Sequence, residues 1–113
     1  MKFCSLKRNK DFSRVYRKGI HAGSRNFVVY LLNNRCKYTR LGISASKKVG
    51  CAVKRNRVRR IVKEAFSQIN LGLKNDIVVV ARSGSVTLKT QNVICEILGI
   101  MKKITNIQLS QIV

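Results

Sequence analysis

"LGISASKKVGCAVKRNRVRRIVKEAFSQINLGLKNDIVVVAR", residues 41–82, reads as strand, helix, strand, and the rest of the fold is arranged around it. Its middle carries Val58, Ile61, Val62, Ala65, Phe66 and Ile69 at the i, i+3, i+4, i+7, i+8, i+11 positions of one helix face. Asn56, Arg57, Arg59, Arg60 and Lys63 spread over the opposite side, and Lys54 and Arg55 lie nearer the edges of the apolar arc. "NLGLKND" (70–76) closes the helix and turns the chain. "DIVVVAR" (76–82) is almost wholly apolar, as a strand in the middle of a sheet must be when both its faces are covered.

Working outward, "RNFVVYLL" (25–32) is rich in β-branched and aromatic residues and predicts a strand. The "NN" at 33–34 is a turn signal, and with "KYTRLGISAS" (37–46) as the next strand it predicts a hairpin. Upstream, Phe12, Val15 and Tyr16 share one face of a short helix, with Asn9 as N-cap and Gly19 ending it in a left-handed turn. A short edge strand is expected around 20–23. A last helix after "SGS" (83–85) would carry Val93, Ile94, Ile97, Leu98, Met101 and Ile104 on one side. The order predicts a small α/β sandwich, a mixed sheet packed by helices. Without Pro or a Gly/Ser-rich linker, residues 1–113 read as a single domain.

The charge narrows the function. Twenty-four Lys and Arg face four acids (Asp11, Glu64, Asp76, Glu96), a net of +20. Solubility needs far less, and self-repulsion destabilises the compact state. Eleven of the cations lie in 1–40 and eight in 47–63, so the first half of the chain would build a polyanion-binding surface. Four of the six cations in 50–66 are Arg, whose planar fork suits bidentate phosphate contact. Nucleic acid is the expected partner. The chain has no apolar run long enough to span a bilayer and no secretory signal, which predicts a cytoplasmic protein without a membrane role.

Protein-based catalysis is poorly supplied. "GCAVKRN" lacks the second Gly and the Lys-Ser/Thr pair of a phosphate-binding loop, and the four acids are isolated, Glu64 being a helix-face partner for Arg60. Cys4, Cys36, Cys51 and Cys95 form no close pair, and His21 reads as a surface or structural residue in a post-helix turn. No catalytic residue and no protein metal site is expected. Phe27 and Phe66 read as core. Phe12, Tyr16 and Tyr30 could be core, or could be ring faces beside cations that stack single-stranded bases; periodicity leaves both open.

"SKKVGCAVKRNRVRRIVKEAF" (46–66) resembles the signature of the bacterial ribonuclease P protein family, through Lys48, Gly50, Ala52, Val53, Arg55, Asn56, Arg57, Arg59 and Arg60. "LKRNKDFSRVYRKG", "RNFVVY", "LGISASKK" and "DIVVVAR" resemble that family in the same order, so the similarity covers nearly the whole chain and weakens after Ser83. It implies a left-handed β–α–β crossover in the sandwich. It further implies that a large RNA, with Mg²⁺, removes the 5′ leader of precursor tRNA while the small protein binds that RNA and the leader, with no other protein required. By position, Lys47, Lys48, Arg55, Asn56, Arg57, Arg59, Arg60 and Lys63 would face the catalytic RNA. Phe12, Tyr16, Val28, Tyr30, Ser44 and Arg82 would line the leader cleft. Cys51 stands where the family usually has Asn, Tyr16 where Phe is common, and the apolar tail "NIQLSQIV" has no assigned role. Other readings of the charge are a ribosomal-type RNA-binding protein without a role in cleavage, an independent nuclease, or a membrane-surface protein.

Overall fold

The computed structural model of the chain describes residues 3–34, 38–69 and 75–112, with side chains through residue 105. In chain order the elements are β1 (Phe3–Ser5), α1 (Asn9–Lys18), β2 (Ile20–Gly23), β3 (Phe27–Asn33) and β4 (Thr39–Ala45). They are followed by α2 (Ala52–Gln68), β5 (Asn75–Ala81) and α3 (Thr90–Ile112). One-turn 3₁₀ segments at Lys47–Val49 and Ser83–Thr87 lead into α2 and α3. The strands form one mixed sheet in the order β1-β4-β5-β3-β2.

The apolar β5 takes the centre of the sheet, as its composition requires. It runs parallel to β4 and antiparallel to β3, with Val80 between Ser44 and Val28, and Val78 between Gly42 and Tyr30. The expected hairpin between β3 and β4 therefore does not form, because β5 is inserted between them. Residues 35–37 of that expected turn lie outside the described residues. The short edge strand does form: β2 pairs antiparallel with β3 at the sheet margin. β1 pairs parallel with β4 at the other margin, and its three residues were too few for a periodicity to announce it.

Side-chain alternation gives each face of the sheet its own helices. Phe27, Val29, Leu31, Leu41, Ile77 and Val79 point to one side, where they meet Val58, Val62 and Phe66 of α2 and Val93, Ile97, Ile100 and Ile104 of α3. Each such fully buried side chain contributes about 1.5–3 kcal/mol. The α3 stripe is narrower than expected: Ile100 is buried and Leu98 is 44% exposed. At 100° per residue the Val93–Ile97–Ile100–Ile104 row is compact, and Leu98 lies more than a right angle away from it. On the other face α1 buries Val15 against Leu6 and Val78, flanked by Phe12, Tyr30, Leu32 and Val80.

Two helix ends differ from expectation by small amounts. Arg8 is the N-cap of α1 and Asn9 its first residue. Gly19 ends α1 in extended backbone, not a left-handed turn. Glycine is required there by space, since a Cβ would sit 2.5 Å from the Val15 carbonyl oxygen.

Candidate nucleic-acid interface

α2 begins with its charges arranged against its own dipole. The N-terminus of a helix carries partial positive charge and favours anions. Here the first turn contains no acid, Lys54 and Arg55 follow the cap directly, and Lys47 and Lys48 stand exposed in the preceding turn. Gly50 joins that turn to the helix at φ 141°, a conformation an L side chain rarely adopts. Cys51 is the N-cap, with no side-chain hydrogen bond closing the cap. The Lys54 backbone N–H favours its thiolate and holds its pKa below the ordinary thiol value, against a smaller opposing effect of desolvation.

The cations of α2 are not equivalent. Lys54, Arg60 and Lys63 are exposed, and among the described residues none forms an ion pair. Arg59 donates to Asn56 Oδ1 at 3.2 Å, which orients both side chains on the outer surface. Arg57 is turned inward and donates to the Val86 carbonyl oxygen at 2.6 Å, tying α2 to the Ser83–Thr87 turn. Arg55 is half-buried, and its Nε has no partner among the described residues. Glu64 does not pair with Arg60. It accepts from Thr90 Oγ1 at 3.3 Å, linking α2 to the start of α3.

The second half of the site lies between α1 and the sheet. Phe12 packs over Gly42, where a Cβ would come within 2.5 Å of the ring. Tyr16, 38% exposed, lies 6.3 Å from Phe12 and meets Tyr30 edge-on at 4.9 Å between ring centroids. Beside these rings the row Gly23–Val28–Val80–Ser44 crosses the sheet with small side chains only. A cleft of about 410 Å³ opens there, lined by Asn9, Phe12, Ser13, Tyr16, residues 43–45 and Arg59. It brings Phe12, Tyr16 and Ser44 together with a cation of α2. Val28 and Tyr30 continue the same sheet face, and exposed Arg82 sits beyond the end of β5 with its guanidinium near Gly23.

The four acids are all used internally. Asp76, fully buried, accepts from Arg40 Nε at 2.7 Å, from Asn34 Nδ2 at 2.8 Å and from Arg14 at 3.1 Å. Asp11 completes this knot, 3.2 Å from Arg14 and 3.7 Å from Arg40. Burial pushes the Asp76 carboxyl up, but the hydrogen bonds from Arg40, Asn34 and Arg14 outweigh it and hold its pKa below the ordinary value. Glu96 accepts from Ser24 Oγ at 2.8 Å and Asn26 Nδ2 at 3.1 Å, fixing the β2–β3 turn on α3. Among the described residues no group of three or more His, Cys, Asp or Glu is placed to hold a metal ion.

The surface is thus a basic helix beside a ringed cleft, and each of the four acids is engaged by a neighbouring side chain. The family model Ribonuclease P matches residues 1–105. The chain belongs to the ribonuclease P protein family. It is 39% identical over 107 residues to the ribonuclease P protein component of Clostridium botulinum, covering 91% of this chain and 96% of that one. To the Staphylococcus aureus component it is 44% identical over 105 residues, covering 86% and 89%. The solved structure of the Staphylococcus aureus RNase P protein superposes with a TM-score of 0.80 at 39% identity, over 89% of this chain and 94% of the other. The chain is thus similar to ribonuclease P protein components in sequence and fold alike, and its role is that of the protein subunit of this endoribonuclease, working with a catalytic RNA subunit. No helix among the described residues is long and apolar enough to cross a membrane.

Within this ribonuclease P protein the sequence reading did not assign Asn9 and Ser13 to the cleft, nor His21 to the ring cluster beside it. Asn9 and Ser13 line the cleft from α1, one turn apart on the side of Phe12 and Tyr16. His21 lies in β2, not in a turn, and stacks on Tyr30 with ring centroids 5.0 Å apart and planes 28° from parallel. Recognising β2 as an edge strand pairing with β3 could have found His21, because the antiparallel register puts it directly opposite Tyr30.

Proposed function

We propose that the α2 surface binds the catalytic RNA of ribonuclease P and that the cleft under α1 holds the unpaired 5′ leader of precursor tRNA. Together they promote Mg²⁺-dependent removal of the leader to give the mature tRNA 5′ end. Lys47, Lys48, Arg55, Asn56, Arg59, Arg60 and Lys63 are assigned to the RNA subunit. Arg57 is assigned to the same partner, although its guanidinium also anchors the Ser83–Thr87 turn. Phe12, Tyr16, Val28, Tyr30 and Ser44 are assigned to the leader, with Arg82 at the far end of the same surface.

One observation carries this reading: the α2 N-terminus holds cations and no acid, an arrangement unfavourable in isolation and favourable against phosphate. The ring chain Phe12–Tyr16–Tyr30 supports the second half, since stacked bases gain about 1–3 kcal/mol each without sequence reading. In this reading Mg²⁺ is held mainly by the RNA; among the described residues no cluster of three or more His, Cys, Asp or Glu is placed for it. The reading places the protein in the cytoplasm, with RNA as the only macromolecular partner it needs.

The test is cleavage of a precursor tRNA by the cognate catalytic RNA at low Mg²⁺, with and without the protein, mapping the product to the mature 5′ end. Rescue only when both components are present is expected. Rescue that is absent with folded protein would leave a general RNA-binding role.

A further inference from the structure

The ring chain does not end at Tyr30. His21 projects from β2, the edge strand, directly opposite Tyr30, and their planes are within 28° of parallel at 5.0 Å. It is exposed, and among the described residues its side chain makes no hydrogen bond or ion pair. Gly23, the next residue of β2 on that face, raises no side-chain wall, and the Arg82 guanidinium lies 3.7 Å from where its Cβ would stand. Phe12 over β4, Tyr16, Tyr30 on β3 and His21 on β2 therefore form a line of rings crossing the sheet away from Arg59.

We propose that His21 forms a subsite for one further unpaired nucleobase of the leader, outboard of Tyr30, with Arg82 placed for the adjoining phosphate. This rests on the leader reading above. An imidazole already parallel to Tyr30 covers one face of that ring, so a base arriving from the edge meets the imidazole first. Its outer face is a preorganised stacking platform, and stacking tolerates any base. The open backbone of Gly23 lets a sugar-phosphate pass between the ring and the guanidinium.

The experiment uses the complete ribonucleoprotein and precursor tRNAs whose leaders lengthen one nucleotide at a time, reading affinity at fixed salt. With the unmodified protein, affinity rises stepwise and then saturates. In His21→Ala the outermost step disappears, a loss of about tenfold confined to leaders long enough to reach it, while His21→Phe keeps the step. Unfolding midpoints of both variants are measured alongside, and equal midpoints assign the loss to the surface. Loss at an inner step would make His21 a prop for Tyr30, and tighter binding by His21→Ala would make it a cover; either overturns the subsite. Tyr16→Ala separates the two readings. If it removes inner steps while His21→Ala changes nothing, only the subsite fails. If it too leaves the length dependence intact, the leader cleft fails and the subsite with it.

Discussion

Arg14 and Arg40 at one end of the sheet are held by two carboxylates, Asp11 and Asp76, whereas the exposed cations that open and line α2 face none among the described residues. Both regions are basic in sequence, and composition does not separate them. The difference is geometric. Asp76, the second residue of β5, is fully buried, so its charge had to be matched from within, and Arg40 sits across the parallel pair at the register position that can reach it. α2 shows its cations to the outside, where, in the function proposed above, RNA supplies the anions. Two of the four acids serve the knot and the other two cap loops and helix starts, which leaves the α2 field unopposed by design of placement and not only by excess of charge.

The contrast can be broken from either side, and the largest effect is expected at the knot. Asp76→Asn removes the buried charge that Arg14 and Arg40 share, leaving them Asp11 alone, and should cost about 3–5 kcal/mol in urea unfolding. Because the folded Asp76 pKa is depressed, its contribution is fully present above the unfolded carboxylate value of about 3.9. It is lost as pH falls through the lower folded value, and the Asn variant should lack that acid limb of the stability curve. Unchanged stability in Asp76→Asn would mean the pairs are ornamental.

Next in size is Gly50→Ala, which forces a side chain into φ 141° and should cost about 1–3 kcal/mol; an unaltered unfolding midpoint would remove the case for glycine at this junction. Arg60→Ala tests the other region. Its stability should stay within about 0.5 kcal/mol of the parent, while the salt dependence of RNA binding flattens by ~0.7–0.9 in log–log slope. A stability loss with the slope intact would reverse the assignment of α2. The smallest effect belongs to Cys51→Asn, which introduces a preferred N-cap and should stabilise by about 0.5–1 kcal/mol. In the parent, alkylation of Cys51 should show a midpoint below that of an unperturbed cysteine thiol, and a midpoint at or above it would show that the Lys54 N–H does not favour the thiolate.

Much of this was legible in the residues. The α2 stripe appeared at the positions its period gives, with Val58, Ile61, Val62, Ala65 and Phe66 all buried, and β5 was central because nothing else accommodates an apolar strand on both faces. What was not legible was partnership. Period-two alternation places Tyr30 and Val28 on one face but does not say which strand lies beside them, so adjacency in sequence suggested a hairpin where β5 intervenes. The same blindness hid the inward turn of Arg57, whose acceptor is a carbonyl 29 residues away. It hid His21, whose meaning depends on a register. The resemblance to the ribonuclease P protein family supplied the roles that spacing left undecided between core and surface for Phe12, Tyr16 and Tyr30. The structure leaves Phe12 and Tyr30 half-buried and Tyr16 exposed, so both descriptions apply to one small cluster.

The position of β5 also governs how the molecule can be made. Before Asn75 emerges during synthesis, β1 has β4 and β2 has β3, but no strand joins the two pairs, because every link between them runs through residues 75–81. The chain up to that point holds twenty of its twenty-four cations and two of its acids. The most basic part of the protein is therefore exposed beside the ribosome, itself largely RNA, as an incomplete sheet whose long-range closure is slow by topology. Completion waits for the final third of the chain.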